Sequence, residues 1–273
     1  MNKAGSFYEV ITAAVADIAD HGYSPARVDA WMGQIAAAAR RDMVPEAQVA
    51  ATLQSSLGGL YKRYIDDGAM LRQSPGISRY SIDRVKPQLR AELNRRIAAS
   101  AQLIKLNREE AIQKTLRRFS GWASSIPDGG SNVVDKRETK ADIKKSLRQL
   151  PFEERRVLID QGHKFVASLS ETVASNSNAI AAIWHSHWRQ LNYKYRPDHK
   201  ARAGKVYTLR GNWAQEKGLM KAGPAGYIDD ITRPAEEPYC RCYYQWVYSL
   251  RDLPEDMLTA KGREALAAAK VAA

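Results

Sequence analysis

Apolar residues recur at helical spacing over most of the first two thirds of the chain. Ser24-Pro25 reads as an N-cap and first-turn proline, opening a helix with Val28, Trp31, Met32 and Ile35 on one face. Pro45-Glu46 opens another, carrying Val49, Leu53, Leu57, Leu60 and Tyr64. Gly58-Gly59 weakens it by about 1 kcal/mol per glycine relative to alanine. Gly68 to Lys86, with Ser74-Pro75-Gly76, reads as a loop. From Pro87 to Trp122 one long helix is expected: Leu89, Leu93, Ile97, Ala101 and Ile104 form a stripe, which Ile112, Leu116 and Phe119 continue after a slip.

Ser125 to Asn132 (SIPDGGSN) is a turn-forming break with no periodicity. A charged helix is expected near Glu138 to Leu150, and another from Pro151 through Val157, Leu158, Phe165 and Leu169. Ser175 to Asn178 interrupts or caps it. A further helix from Asn178 to about Leu191 would place Trp184, Trp188, Ile180 and Leu191 on one core-facing side. His185 and His187 would then diverge. Beyond Leu191 the helical period is lost. Gly204 to Leu209 and Arg241 to Tyr248 have the aromatic and β-branched content of strands, with a Gly- and Pro-rich stretch between them. Pro254 to Ala273 reads as a terminal Ala-rich helix. The fold class is therefore mainly α with a small C-terminal α+β domain and an elongated helical N-terminal region. The divisions fall at 1–124, 125–191 and 192–273.

Composition narrows the class further. At 273 residues and 44% apolar, the chain can bury a sizeable core and is not intrinsically disordered. Two cysteines cannot organise it through disulfides. The first residues make a poor signal peptide, and no apolar run approaches the roughly 20 residues of a membrane span. A soluble protein of a reducing compartment is expected. The formal charge of +12 is unevenly spread, since residues 61–120 hold 14 Lys and Arg against 6 Asp and Glu. Arg90, Arg95, Arg96, Lys105, Arg108, Lys114, Arg117 and Arg118 line the long helix. The plainer reading is a solvated face; the alternative is salt-dependent contact with phosphates.

Phosphate-loop, dinucleotide, zinc-protease and nucleophile-elbow signatures are absent. The constellation with chemical potential is Asp198-His199 followed by Cys240-Arg-Cys242. In an extended strand both sulfurs face one side and could, with His199, hold a structural zinc. The usual zinc pair has two intervening residues rather than one, and Asp198, His187 and Glu237 compete as fourth ligand. Two buried free thiols beside a buried histidine are the favoured reading, so no cofactor is expected. A nuclease using His199 as general base with a divalent metal would need carboxylates. Asp198 would face away in a strand, which leaves Asp229-Asp230.

Residues from about Leu169 to Gln245 resemble the head-morphogenesis domain of tailed bacteriophages, the phage Mu protein F-like family. The resemblance is carried by SETVASNSNAIAAIW (Ser170 to Trp184), RPDHKARAGKVY (Arg196 to Tyr207) and EPYCRC (Glu237 to Cys242). The family pattern is matched at Glu171, Asp198, His199, Arg202, Gly204, Pro238, Cys240 and Cys242; Glu237 stands where a histidine is common. The resemblance implies a non-enzymatic minor virion protein, made in the host cytoplasm and present in few copies in the head. It implies contacts with the portal or major capsid protein, oligomeric placement in the virion, proximity to packaged DNA, and exit with that DNA. No membrane is involved in the assembled head.

On physical grounds alone, Asp198 and Arg202 are expected to fix a turn, with Gly204 supplying a conformation other residues resist. His199 would bond the returning strand near Cys240, and Tyr207, Tyr243, Tyr244 and Trp246 would pack on Trp184 and Trp188. Two other classes compete: a metal-dependent nuclease or packaged toxin-like effector around His199 and Asp229/Asp230, and a stand-alone nucleic-acid-binding protein using Arg90 to Arg118.

Overall fold

The computed structural model describes residues 5–271. Helices dominate, and a three-stranded sheet lies in the C-terminal part. The chain runs α1 (Phe7–His21), α2 (Pro25–Asp42), α3 (Glu46–Tyr61), α4 (Ala69–Gln73), α5 (Arg79–Ala123), α6 (Lys136–Ile143) and α7 (Lys145–Ser175). There follow β1 (Ala181–His185), α8 (Pro197–Arg202), β2 (Val206–Thr208), α9 (Trp213–Glu216), β3 (Tyr243–Val247) and α10 (Ala260–Val271). The end of the expected C-terminal helix, Ala272 and Ala273, lies outside the described residues, as does Lys3 of the N-terminal stretch. Among the described residues no helix is long and apolar enough to cross a membrane.

Two compact units form. One comprises the chain up to Thr52 together with Ala99–Val157; the other comprises Leu53–Ala98 together with the chain from Leu158 on. In the first, Phe7, Ile11, Ile18, Ile35, Ile112, Leu116 and Phe119 share a core. In the second, Leu57, Tyr61, Leu89, Leu93, Phe165 and Leu169 do so. These compact units do not follow divisions at 124 and 191, and the reasons are local. The SIPDGGSN break is a connection inside the first unit: Ser131 N–H donates to the Ala19 carbonyl at 2.7 Å. Gly130 approaches so closely, at φ +92°, that a Cβ there would lie 2.5 Å from that oxygen.

The 45-residue α5 begins eight residues before Pro87 and absorbs the end of the expected loop. Its stripe serves both cores in turn, which accounts for the slip between Ile104 and Ile112. Pro87 and Pro151 lie within α5 and α7 rather than opening helices, both exposed. Each removes one donor to the carbonyl four residues earlier. Past Gly58-Gly59, α3 loosens into a π turn over Lys62–Asp66, with Asp67 N–H on the Lys62 carbonyl at 2.8 Å. Ser24 occupies the N-cap of α2 without a side-chain capping bond, so Pro25 is the operative start signal.

The expected helix from Asn178 to Leu191 is instead the central strand of the sheet, whose order is β2-β1-β3, antiparallel throughout. Ala182 pairs with Tyr207 on one side and Trp246 on the other; Trp184 pairs with Tyr244. Both faces are covered. Ala181 packs with Met220, Val247 and Leu250, and Ala182 with Ala174 and Trp246. A strand buried on both faces reads as a continuous apolar run, which periodicity cannot tell from a helix. Trp188 consequently lies in the following loop, half-buried against Tyr195 and Lys200, and does not share a face with the fully buried Trp184. Asn178 turns the chain from α7 into the strand at φ +60°, a conformation asparagine tolerates.

Candidate functional site

Pro197 at the first position of α8 sets a short helix whose inner face carries His199, 1% exposed. The segment entering β3 brings in Cys240 and Cys242, both buried and unbridged. His199 Nδ1 lies 3.5 Å from each sulfur. Ala235 N–H donates to Cys240 Sγ at 3.3 Å, from a loop that holds Ala235 and Tyr239 at φ +63° and +60°. Such backbone is costly for residues with a side chain and persists only where its surroundings enforce it. Tyr239 N–H is fixed by Asp160 Oδ1 at 2.5 Å.

The two thiols differ. Cys240 is held well below the usual thiol range, chiefly because the Cys242 S–H donates to its thiolate, with further help from Ala235 N–H and the neighbouring His199. Cys242 is pushed up, chiefly because its proton is engaged by Cys240 and secondarily by burial. Ser186 Oγ and Trp184 Nε1 are buried short of a formed hydrogen bond, yet both lie near Cys242 and favour its thiolate.

The other motif residues clamp this node. Asp198 pairs with Arg202 at 2.9 Å; Arg202 donates to Thr232 Oγ1 at 2.9 Å and lies 5.1 Å over the Trp184 ring. Gly204, at φ +80°, donates to the Trp184 carbonyl at 2.8 Å. Glu171 pairs with Arg233, and Arg196 with Glu237. Tyr207 and Tyr244 meet Trp184 edge-on at 6.5 and 5.6 Å, whereas Tyr243 is exposed and stacks on His185.

Among the described residues, His199, Cys240 and Cys242 are the one set of three or more ligand-type side chains that converges. The competing fourth ligands do not complete it. Asp198 and Glu237 face the far ring nitrogen, each 3.8 Å from Nε2, and His187 leans on Tyr243. Asp229 and Asp230 are clasped by Arg210 at 2.8 and 2.6 Å and lie outside the cluster.

Several cations of α5 are committed internally. Arg108 is 8% exposed, bonded to Glu154 at 2.6 Å and to the Val44 carbonyl at 2.7 Å. Arg96 reaches Glu92, Gln161 and Ser168, and Arg118 reaches Ser146. Arg90 stacks on Tyr61; Arg95, Lys105 and Lys114 are exposed but pair with Glu92, Glu46 and Glu110. Arg117 is exposed.

A cleft of about 1000 Å³ opens in the second unit, lined among others by Leu60, His163, Glu171, His187, Arg233 and Cys242. Burial holds His163 below the ordinary imidazole value. Tyr193, Ser186 and Ala235 join the site without any sequence signal of their own, because only the folded chain brings them to it, whereas Trp184 and Arg196 lie within the motif stretches. Comparison with known protein families, characterised proteins and solved structures yields no match to this chain.

Proposed function

We propose that this chain is a minor structural protein of a tailed-phage virion, associated with the portal or capsid shell and acting through assembly contacts. The observation that carries the reading is where the family-like residues stand. Glu171, Asp198, His199, Arg202, Gly204, Cys240 and Cys242 all bind one another or the turns of a single small module. His199 is sealed under Trp184 with ring centroids 5.2 Å apart, which suits a lock and does not suit a base that must reach a phosphodiester. Virion localisation, low copy number and exit with DNA follow from the resemblance. Exposed Arg90, Arg95, Lys105, Lys114 and Arg117 are the cations that could contact packaged DNA; Arg96, Arg108 and Arg118 serve the fold.

Quantitative mass spectrometry of purified virions from the phage encoding this chain tests the proposal. A few copies per head are expected, in fixed ratio to the portal protein. Heads complete in all major proteins but lacking this chain would refute it.

A further inference from the structure

We infer that His199 Nδ1 and the sulfurs of Cys240 and Cys242 hold a zinc ion, with water in the fourth position. The argument begins with geometry. Typical zinc–sulfur and zinc–nitrogen bonds at tetrahedral angles set a nitrogen–sulfur edge of about 3.6 Å. Nδ1 is 3.5 Å from both sulfurs. A single ring proton is directed at one acceptor, whereas equal distances to two are what a shared ion produces.

Hydrogen-bond donors stand beside both sulfurs. Cys240 receives Ala235 N–H, and Cys242 has the Trp184 indole N–H and the Ser186 hydroxyl beside it, both buried and otherwise unpartnered. Two neighbouring thiolates in a buried place need a compensating cation. A divalent ion balances both charges and leaves the imidazole neutral.

The far side of the ring points the same way. With Nδ1 coordinating, the proton resides on Nε2, which is buried and lacks a hydrogen-bond partner. Asp198 and Glu237 stand 3.8 Å from it. A carboxylate behind a ligating histidine is the usual second-layer partner, fixing the tautomer and raising ligand basicity. Soft sulfur with imidazole and no hard oxygen donor in the set selects zinc over magnesium or calcium. Cys242 lines the large cleft, which gives water a route to the fourth position. The ion would tie α8 to the entry of β3, joining segments some forty residues apart.

The test uses the full chain, purified under reducing conditions without chelator. Elemental analysis is expected to give one zinc per chain. After chelation, added Zn²⁺ should shield both thiols from alkylation, and Co²⁺ should produce sulfur-to-cobalt charge-transfer absorption. C240S/C242S should abolish these signals. Should that variant fold poorly, D198N/E237Q keeps all three ligands and is expected to weaken zinc affinity about 10- to 100-fold. Zinc below about a tenth of an ion per chain, with no Co²⁺ band and alkylation unchanged by Zn²⁺, would overturn the inference. So would a Cys240–Cys242 disulfide in the freshly isolated protein. Either result leaves the virion assignment to be judged by its own experiment.

Discussion

Arg108 shows how little a residue's charge says about its task. It is one of eleven lysines and arginines on α5, yet its guanidinium is buried against Glu154 and the Val44 carbonyl. Removing one partner of a buried ion pair strands the other, so Arg108→Ala should cost roughly 3 kcal/mol of stability in denaturant unfolding. Arg117, exposed on the same helix, should change stability by no more than about 0.5 kcal/mol when replaced by alanine. Gly130 is equally specific. A Cβ there meets the Ala19 carbonyl at 2.5 Å and the residue holds φ +92°, so Gly130→Ala should lower the melting temperature of the first unit. A melting temperature unchanged by Gly130→Ala would contradict the close approach.

At the scale of elements, hydrophobic spacing identified α2, α3 and α5, whose apolar stripes are one-sided, and aromatic and β-branched content identified both outer strands. Spacing failed at β1, where Ala181, Ala182 and Trp184 are all buried and the alanines carry helix propensity. Pairing with β2 and β3 overrides that propensity, and no local signal announces it. The cysteine–histidine cluster was legible as residue types, since residues two apart on an extended chain face one way. The donors from Trp184, Ser186 and Ala235 were not, because only the folded chain gathers them.

Helix α5 offers a pH test of its own. Burial opposes ionisation of Glu92, but Arg95 and Arg96 outweigh it and hold the carboxyl below its ordinary value. A carboxylate with a depressed folded pKa contributes stability above the unfolded value of about 4.3, lost as pH falls through the folded value. Glu92→Gln should therefore be less stable than the parent at pH 7, by about 1–2 kcal/mol given the charged hydrogen bonds removed. That gap should narrow in unfolding measured below about pH 4. A gap that widens on acidification would contradict the pairing.

For the whole molecule, the distribution of exposed charge and the buried motif cluster bear on different activities. If the exposed cations meet packaged DNA, charge reversal at Arg95 and Arg117 should weaken DNA binding and flatten its salt dependence. Unchanged binding would remove the long helix as the contact. With plasmid and Mg²⁺ or Mn²⁺, the purified chain should show no cleavage dependent on His199; cleavage lost in His199→Ala with folding intact would favour the nuclease reading.

The central claim is that the family-like residues lock a fold, and His199 is its keystone. Trp184, one of six tryptophans, lies beside it, so denaturant unfolding followed by tryptophan fluorescence compares the parent with His199→Ala. A loss of about 2–4 kcal/mol is predicted, as for other large-to-small changes in a packed interior. Undiminished stability in the variant would contradict the account.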